Sequence, residues 1–259
     1  MKRYWILALF AFVVLGAAAV WLGALNQDEG WYLYAANLVA EGKQPYRDFF
    51  FTQGPVMPFV YSFAVGIWQQ YGLLGARVAN LALGLVGVFF ACLLARRLAD
   101  EEHKGVATLV TFLLLATNLY HLYFLAIPKT YALSALFVIV AFYLLSFRRM
   151  ALDFIAGLFL AFAAGTRASL VMLIVAITIV LYVRFRSEGA WKMLFFVFGA
   201  TIGLAVVFVP ILLDERSASG FFAALSYHAE RGGSDPVWTI GSLSRLVRWY
   251  LPVFIVLGL

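Results

Sequence analysis

Charge is what this sequence has least of. Only 12% of its 259 residues are Asp, Glu, Lys or Arg, while 64% are hydrophobic. A soluble domain of this length carries about a quarter charged residues. Runs of ~18 or more apolar residues recur along the whole chain, the mark of transmembrane helices, so a soluble globular domain is excluded and a polytopic membrane protein is expected. Cysteine is nearly absent as well. The single Cys92 lies inside an apolar segment, which rules out a disulfide within the chain and a cysteine zinc site. No basic run is dense enough to suggest nucleic-acid binding. The net charge of +6 sits in short loops, where it reports topology. There is no internal repeat and no low-complexity tract.

What is there is a succession of apolar segments with an all-α, polytopic transmembrane reading. The N-terminal stretch has the basic start and apolar run of a signal peptide. Its ~20-residue apolar length and Trp21 at an interface position favour an uncleaved first span, roughly Tyr4 to Leu25. Lys2 and Arg3 place its start in the cytoplasm, so the polar stretch Asn26 to Pro58 falls outside. An apolar helix from Val56 to Gln70 is expected along the membrane surface, followed by a span from Leu73 to Leu98. Further spans are expected at Gly105–Tyr120, Tyr131–Phe147, Leu152–Thr166, Ala168–Val183 and Met193–Leu213. A second outer loop, Asp214 to Arg245, leads to an eighth span from Leu246. Tight basic pairs at Arg96-Arg97, Arg148-Arg149 and Arg184/Arg186 mark the inner side. The outer basic residues, among them Arg77, Lys129 and Arg167, are nearly as many but single, a surplus that suits an anionic ligand on the outer face. The chain stops in mid-span at Leu259 with no closing basic pair, so a truncated fragment is expected, and residues 1–259 are read as one transmembrane domain.

The chemistry is concentrated in the first outer loop. Asp28 and Glu29 are adjacent acids at the membrane boundary. A carboxylate there can act as a general base on a hydroxyl or amine. Asp28 also stands where a helix N-cap should, and Glu29 would favour the positive end of a helix running to Glu41. The two readings are compatible. That helix is dense in aromatics, with Trp31, Tyr34, Leu38 and Glu41 near one face and Tyr32, Ala35, Ala36 and Val39 on another. Asp48, after the Pro45-Tyr46 turn, is a further acid near the same level, readable equally as an exposed loop acid. Lys129 and Arg167 could snorkel to the interface or hold a phosphate by charge-assisted hydrogen bonds. In the second loop, Ser219 to Arg231 reads as a short amphipathic helix on which His228 and Arg231, three apart, share a face. Gly199 and Gly203 form a GxxxG step suited to helix packing.

Taken in order, these residues carry a resemblance. One span leads to an outer loop with Asp28-Glu29-x-x-Tyr32. Then come Gly42-x-x-Pro45-Tyr46-x-Asp48-Phe49, a Pro-led surface helix, and a span ending Ala95-Arg96-Arg97-Leu98. Over essentially all 259 residues the chain resembles the GT-C-type membrane glycosyltransferases, a group that includes the protein O-mannosyltransferases, the lipid A aminoarabinose transferase and the Rgt-type sugar transferases. Gly165-Thr166-Arg167 and His228-x-x-Arg231 are similar to motifs of that group. The resemblance implies a polyprenyl-phosphate-linked sugar as donor and an acceptor that is a protein, lipid or glycan. Asp28 would be the base, Glu29 would support it, and His228, Arg231, Arg167 and Lys129 would neutralise the departing phosphate, with Tyr32, Tyr46 and Asp48 around the donor. Many relatives carry a Lys before the Pro that opens the surface helix, whereas this chain reads Gln53-Gly54-Pro55. The group is divided over metals: some members use a divalent cation and others none, and no ligand cluster here demands one. The resemblance also implies a plasma-membrane protein with its active site on the outer face.

Two other classes compete with this reading. A transporter or lipid-linked-sugar flippase would be expected to place ionisable or helix-breaking residues near mid-span, and the proposed spans are nearly free of charge at their centres. A non-catalytic membrane assembly subunit is the third.

Overall fold

The computed structural model describes residues 2–231, with side chains described outside 2, 184–189 and 228–231. The expected eighth span and the second loop beyond residue 231 lie outside the described residues. Every named element is helical: α1 (Lys2–Leu22), α2 (Gln27–Ala40), α3 (Val56–Ser62), α4 (Val65–Leu98), α5 (Lys104–Ala116), α6 (Leu119–Ala126), α7 (Thr130–Leu145), α8 (Met150–Thr166), α9 (Val171–Leu213) and α10 (Glu215–Arg231). A 3-10 turn, Ala168–Leu170, precedes α9.

Three helices are long and apolar enough to cross a membrane: Arg3–Leu22, Val65–Leu98 and Ala190–Leu213. Lys104–Ala116 and Leu119–Ala126 make a fourth if the pair, bent by 67°, is one span. The chain is therefore an integral membrane protein with three or four candidate spans among the described residues. Thr130–Leu145, Met150–Thr166 and Ala168–Val183, each expected as a span, are shorter apolar helices. The large apolar residues left exposed on α1, such as Ile6, Phe10 and Val13, suit a lipid-facing surface.

Several breaks differ from the expected segmentation. The helix expected from Val56 to Gln70 stops at Ser62 and restarts at Val65. Within α4, Gly72 takes φ 64° and ψ −156°, a left-handed conformation that glycine adopts at little cost, and it kinks the helix at that point. The span expected over Gly105–Tyr120 ends at Ala116, because Asn118 starts a new helix by accepting the His121 N–H on its side chain at 3.2 Å.

The bundle core is built on small residues. A Cβ on Gly199 would stand 2.0 Å from the Phe154 carbonyl oxygen, one on Gly157 2.2 Å from that of Phe196, and one on Gly203 2.5 Å from Ala161 Cβ. The GxxxG step thus lets α9 lie directly on α8. Gly199 meets Phe154 near the start of α8, and Gly165 at its end meets Val207. The second limb of α9, Ala190–Leu213, therefore runs parallel to α8, and its first limb, residues 171–183, leaving from the end of α8, must run the other way. Ile174, Ile177 and Leu181 of that first limb share a buried cluster with Ala156, Leu160 and Phe196.

The helix ends sort into two levels. At one, the Arg97 guanidinium covers the Phe147 ring, 3.7 Å from its centroid, joining the ends of α4 and α7. At the other lie the end of α1, the start of α2, the start of α7 and the end of α8. The candidate site is at this second level.

Candidate functional site

The site begins with a helix start that is held unusually firmly. Asn26, not Asp28, is the N-cap of α2: its side chain accepts the Asp28 N–H at 3.1 Å. Glu29 reaches back to accept the Asn26 N–H at 3.0 Å, completing a capping box. Asp28 lies two residues past the cap position, inside the helix, so its carboxylate is left for other partners. Glu29 is 1% exposed and is met by Arg77 of α4, itself 3% exposed. Arg77 Nε donates to Glu29 Oε2 at 2.8 Å and Nη2 donates to Oε1 at 2.7 Å. Its remaining N–H groups donate to the backbone carbonyls of Val20, Gly23 and Ala24 at 2.9–3.1 Å. All five guanidinium donors are used. They satisfy carbonyls that the end of α1 would leave orphaned, and they lock α1, α2 and α4 together immediately beside Asp28.

Asp28 itself is half exposed, and its Oδ2 lies 2.6 Å from Lys129 Nζ. Lys129 is buried to 8% exposure at the N-terminal boundary of α7. Its backbone is placed by Asn80 of α4, whose amide donates to the carbonyls of Leu125 and Ile127 at 2.7 Å each while its oxygen accepts from the Tyr61 hydroxyl. Next to it, Thr130 is fully buried and accepts from Arg167 Nη1 at 3.3 Å. Burial, then the Asp28 charge, raises the Tyr32 phenol above its ordinary value, so it stays protonated. Both cations address one ring: Arg167 Cζ lies 4.7 Å and Lys129 Nζ 5.9 Å from the Tyr131 centroid. One carboxylate thus stands among two cations, leaving one positive charge in excess.

Two cavities meet at Arg167. A chamber of about 320 Å³ is lined by Tyr46, Thr52, Gln53, Arg167, Ser169 and Phe221. A second, more apolar cavity of about 410 Å³ is lined by Tyr120, Phe124, Tyr131, Val138, Arg167 and Leu170. A larger apolar cavity of about 490 Å³, among Val56, Phe137, Phe162 and Pro210, touches none of these charged groups. The chamber exists because the first loop is pressed against the α8 end. A Cβ on Gly54 would lie 2.0 Å from the Gly165 carbonyl oxygen, and one on Gly220 of α10 would lie 2.1 Å from that of Tyr46. Tyr46, at φ 69°, is held by its hydroxyl donating to the Gln53 carbonyl, and burial raises its phenol above the ordinary value.

The structure therefore brings Asp28, Tyr32, Lys129 and Arg167 into one group and puts Tyr46 in the adjoining chamber. Glu29 stands beside the group with both oxygens engaged. Asp48 does something else: its carboxylate accepts the Gln44 N–H at 2.8 Å and closes the Gln44–Asp48 turn, with Arg47 3.9 Å away. α10 begins at Glu215, four residues before its expected start, because Asp214 accepts from the Ser217 N–H and hydroxyl at 2.9 and 2.6 Å. The His228 and Arg231 side chains lie outside the described residues. Among the described residues no cluster of three or more His, Cys, Asp or Glu could hold a metal ion. Sequence reasoning missed Asn80, Thr130 and Tyr131, and it counted Arg77 among the outer basic residues suited to an anionic ligand, whereas Arg77 is spent on Glu29. An asparagine within an apolar run, and the Asn26-x-x-Glu29 spacing of a capping box, were the signals that could have found Asn80 and the role of Glu29.

Comparison with family models, with curated proteins and with solved structures returns no match to this chain.

Proposed function

We propose that this chain is a membrane glycosyltransferase that moves a sugar from a polyprenyl-phosphate donor to an acceptor, with Asp28 as general base. The observation that carries the reading is the Asp28 carboxylate among Lys129, Arg167 and Tyr131, at one end of a membrane bundle. Two fixed cations at a membrane boundary suit a lipid phosphate. The chamber beside Arg167, which also exposes Thr52, Gln53 and Ser169, has the size of a small head group, and the more apolar cavity on the other side of Arg167 can take the first isoprene units.

In the reaction, Asp28 takes the proton of the acceptor hydroxyl or amine as the acceptor atom bonds to the anomeric carbon. The bond from that carbon to the phosphate oxygen breaks, and the lipid phosphate leaves with its electron pair. Lys129 and Arg167 stabilise the charge that develops there. The charges balance throughout. A phosphodiester and one carboxylate face two cations before transfer. A phosphate monoester of about −2 charge faces the same two after it, with Asp28 protonated. Glu29 acts as a positioning residue through Arg77 and the capping box. His228 and Arg231 are assigned to the same phosphate by the motif they resemble. In this reading the site faces outward at the plasma membrane, and the basic pairs at the other end of the bundle support the orientation.

The test is complementation. Surface glycans and lipids from host cells with the gene, without it and with Asp28→Asn are compared by mass spectrometry. Loss of one sugar modification in both the deletion and the variant, with the variant still inserted in the membrane, is expected. A wild-type glycan profile from Asp28→Asn would remove Asp28 from the mechanism.

A further inference from the structure

We infer that the donor phosphate unmasks its own base: Lys129 leaves Asp28 for the phosphate oxygens when the donor binds, so Asp28 is free to accept a proton only in the donor-loaded site. This rests on the reading of the site as a polyprenyl-phosphate site.

The geometry points to Lys129 as the mobile cation. Its Nζ lies 2.6 Å from Asp28 Oδ2, so the resting carboxylate is already occupied by the group closest to it. The Lys129 backbone is fixed, since its N–H donates to the Ile127 carbonyl at 2.8 Å and Asn80 holds the Leu125 and Ile127 carbonyls. Only the four-carbon stem can move, and a lysine ammonium can trade one oxygen partner for another by rotating that stem. Arg167 is held differently, over the Tyr131 ring and bonded to the buried Thr130 hydroxyl. Both cations lie by the same ring, so a phosphate bound at Arg167 comes within the sweep of Lys129. The Asp28 side chain keeps 47% exposure, which leaves an acceptor room to approach it once the ammonium has turned away. A resting pair also keeps the base from activating water against a donor that has not yet seated.

The exchange has a thermodynamic signature that a merely structural ion pair lacks. Asp28 competes with the phosphate for Lys129, so removing the Asp28 charge must strengthen phosphate binding, and the gain must require Lys129. The full-length protein in lipid nanodiscs is titrated with a polyprenyl monophosphate, with inorganic phosphate and with the matching polyprenyl alcohol. Asp28→Asn, and independently Asp28→Ala, are expected to bind the polyprenyl monophosphate about fivefold more tightly than wild type, the upper range for a half-exposed ion pair. Lys129→Met is expected to bind it more weakly, and adding Asp28→Asn to Lys129→Met is expected to give no gain. Inorganic phosphate showing the same pattern at lower affinity assigns the effect to the headgroup, while the alcohol should show none of it.

Unchanged or weaker binding by both Asp28 variants overturns the exchange. So does a gain that persists in the Lys129→Met background, which would be plain repulsion between carboxylate and phosphate. Either result leaves the phosphate site itself standing. Failure of the wild-type protein to bind any of the phosphates would remove the site reading and the exchange together.

Discussion

Replacing Arg77 with methionine removes five hydrogen-bond donors and one charge while keeping most of the side-chain volume. Glu29 would then be a carboxylate, 1% exposed, with only the Asn26 N–H left to satisfy it; the Val20 and Gly23 carbonyls would lose their Arg77 donors, and that of Ala24 would keep only the Tyr123 hydroxyl at 3.4 Å. Breaking a buried pair on one side costs about 3–5 kcal/mol, because the abandoned charge stays buried. At roughly 2–4 °C per kcal/mol for a chain of this size, the melting temperature should fall by roughly 6–20 °C. Glu29→Gln keeps an oxygen for the Asn26 N–H and should cost less. The double variant should melt closer to wild type than Arg77→Met alone, because it removes the stranded charge. Thermal unfolding of the detergent-solubilised full-length protein, followed by tryptophan fluorescence, measures all three. An Arg77→Met protein melting within 1–2 °C of wild type, on the same scale, would refute the view that this clamp holds the start of α2 and hence Asp28.

Gly54→Ala forces a Cβ to within 2.0 Å of the Gly165 carbonyl oxygen, so the first loop must move away from Arg167. A displacement of ~1 Å at a catalytic constellation costs about a hundredfold in rate, and transfer should drop by that order while the protein still inserts; a wild-type rate would show that the approach is incidental. Asn80→Leu leaves the Leu125 carbonyl and the Tyr61 hydroxyl without the Asn80 amide, while the Ile127 carbonyl keeps only the Lys129 N–H. At about 1–3 kcal/mol for each of the two unsatisfied groups, it should lower the melting temperature by at least roughly 4 °C. The Tyr32 and Tyr46 phenols are both raised above the ordinary value near 10. The unfolded chain then ionises first, so the stability they contribute is complete below that value and is lost as pH rises past it. Tyr32→Phe and Tyr46→Phe should each flatten the alkaline fall in stability, measured by denaturation between pH 8 and roughly 11.5.

The fold was legible where apolar length decides it. The long apolar segments, the polar first loop and the helix after Asp28 could all be read from composition and period. The breaks were not, because each depends on one local contest. At Asn118 a side chain that can accept a backbone N–H outcompetes continuation of an apolar helix, and at Gly72 a glycine takes a conformation other residues resist. The lengths of α7, α8 and the first limb of α9 mark the same limit: an apolar run announces burial in lipid or protein without saying which. In the site, Asp28, Lys129 and Arg167 could be singled out individually as charges at helix boundaries. Asp28 meets Lys129 from the far side of α3 to α6 in the chain, and Lys129 and Arg167 meet over Tyr131 from the ends of different helices; no spacing rule reaches that far. The acid pair shows the same division. Adjacent in sequence, its members point to opposite fates: Glu29 turns into the buried grip of Arg77, and Asp28 turns out toward Lys129.

The central claim is that a sugar–phosphate bond is broken at this site, and the direct measurement is to follow that bond. Membranes carrying the full-length protein, wild type or Asp28→Asn, are supplied with a panel of polyprenyl-phosphate sugars and an extract of host acceptors, and release of free polyprenyl phosphate is monitored by mass spectrometry. Wild type should consume one donor, yielding polyprenyl phosphate and glycosylated acceptor in equal amounts, and Asp28→Asn should consume none above background. Equal consumption by the two proteins, or intact donors throughout with the whole panel and acceptor extract present, would contradict it.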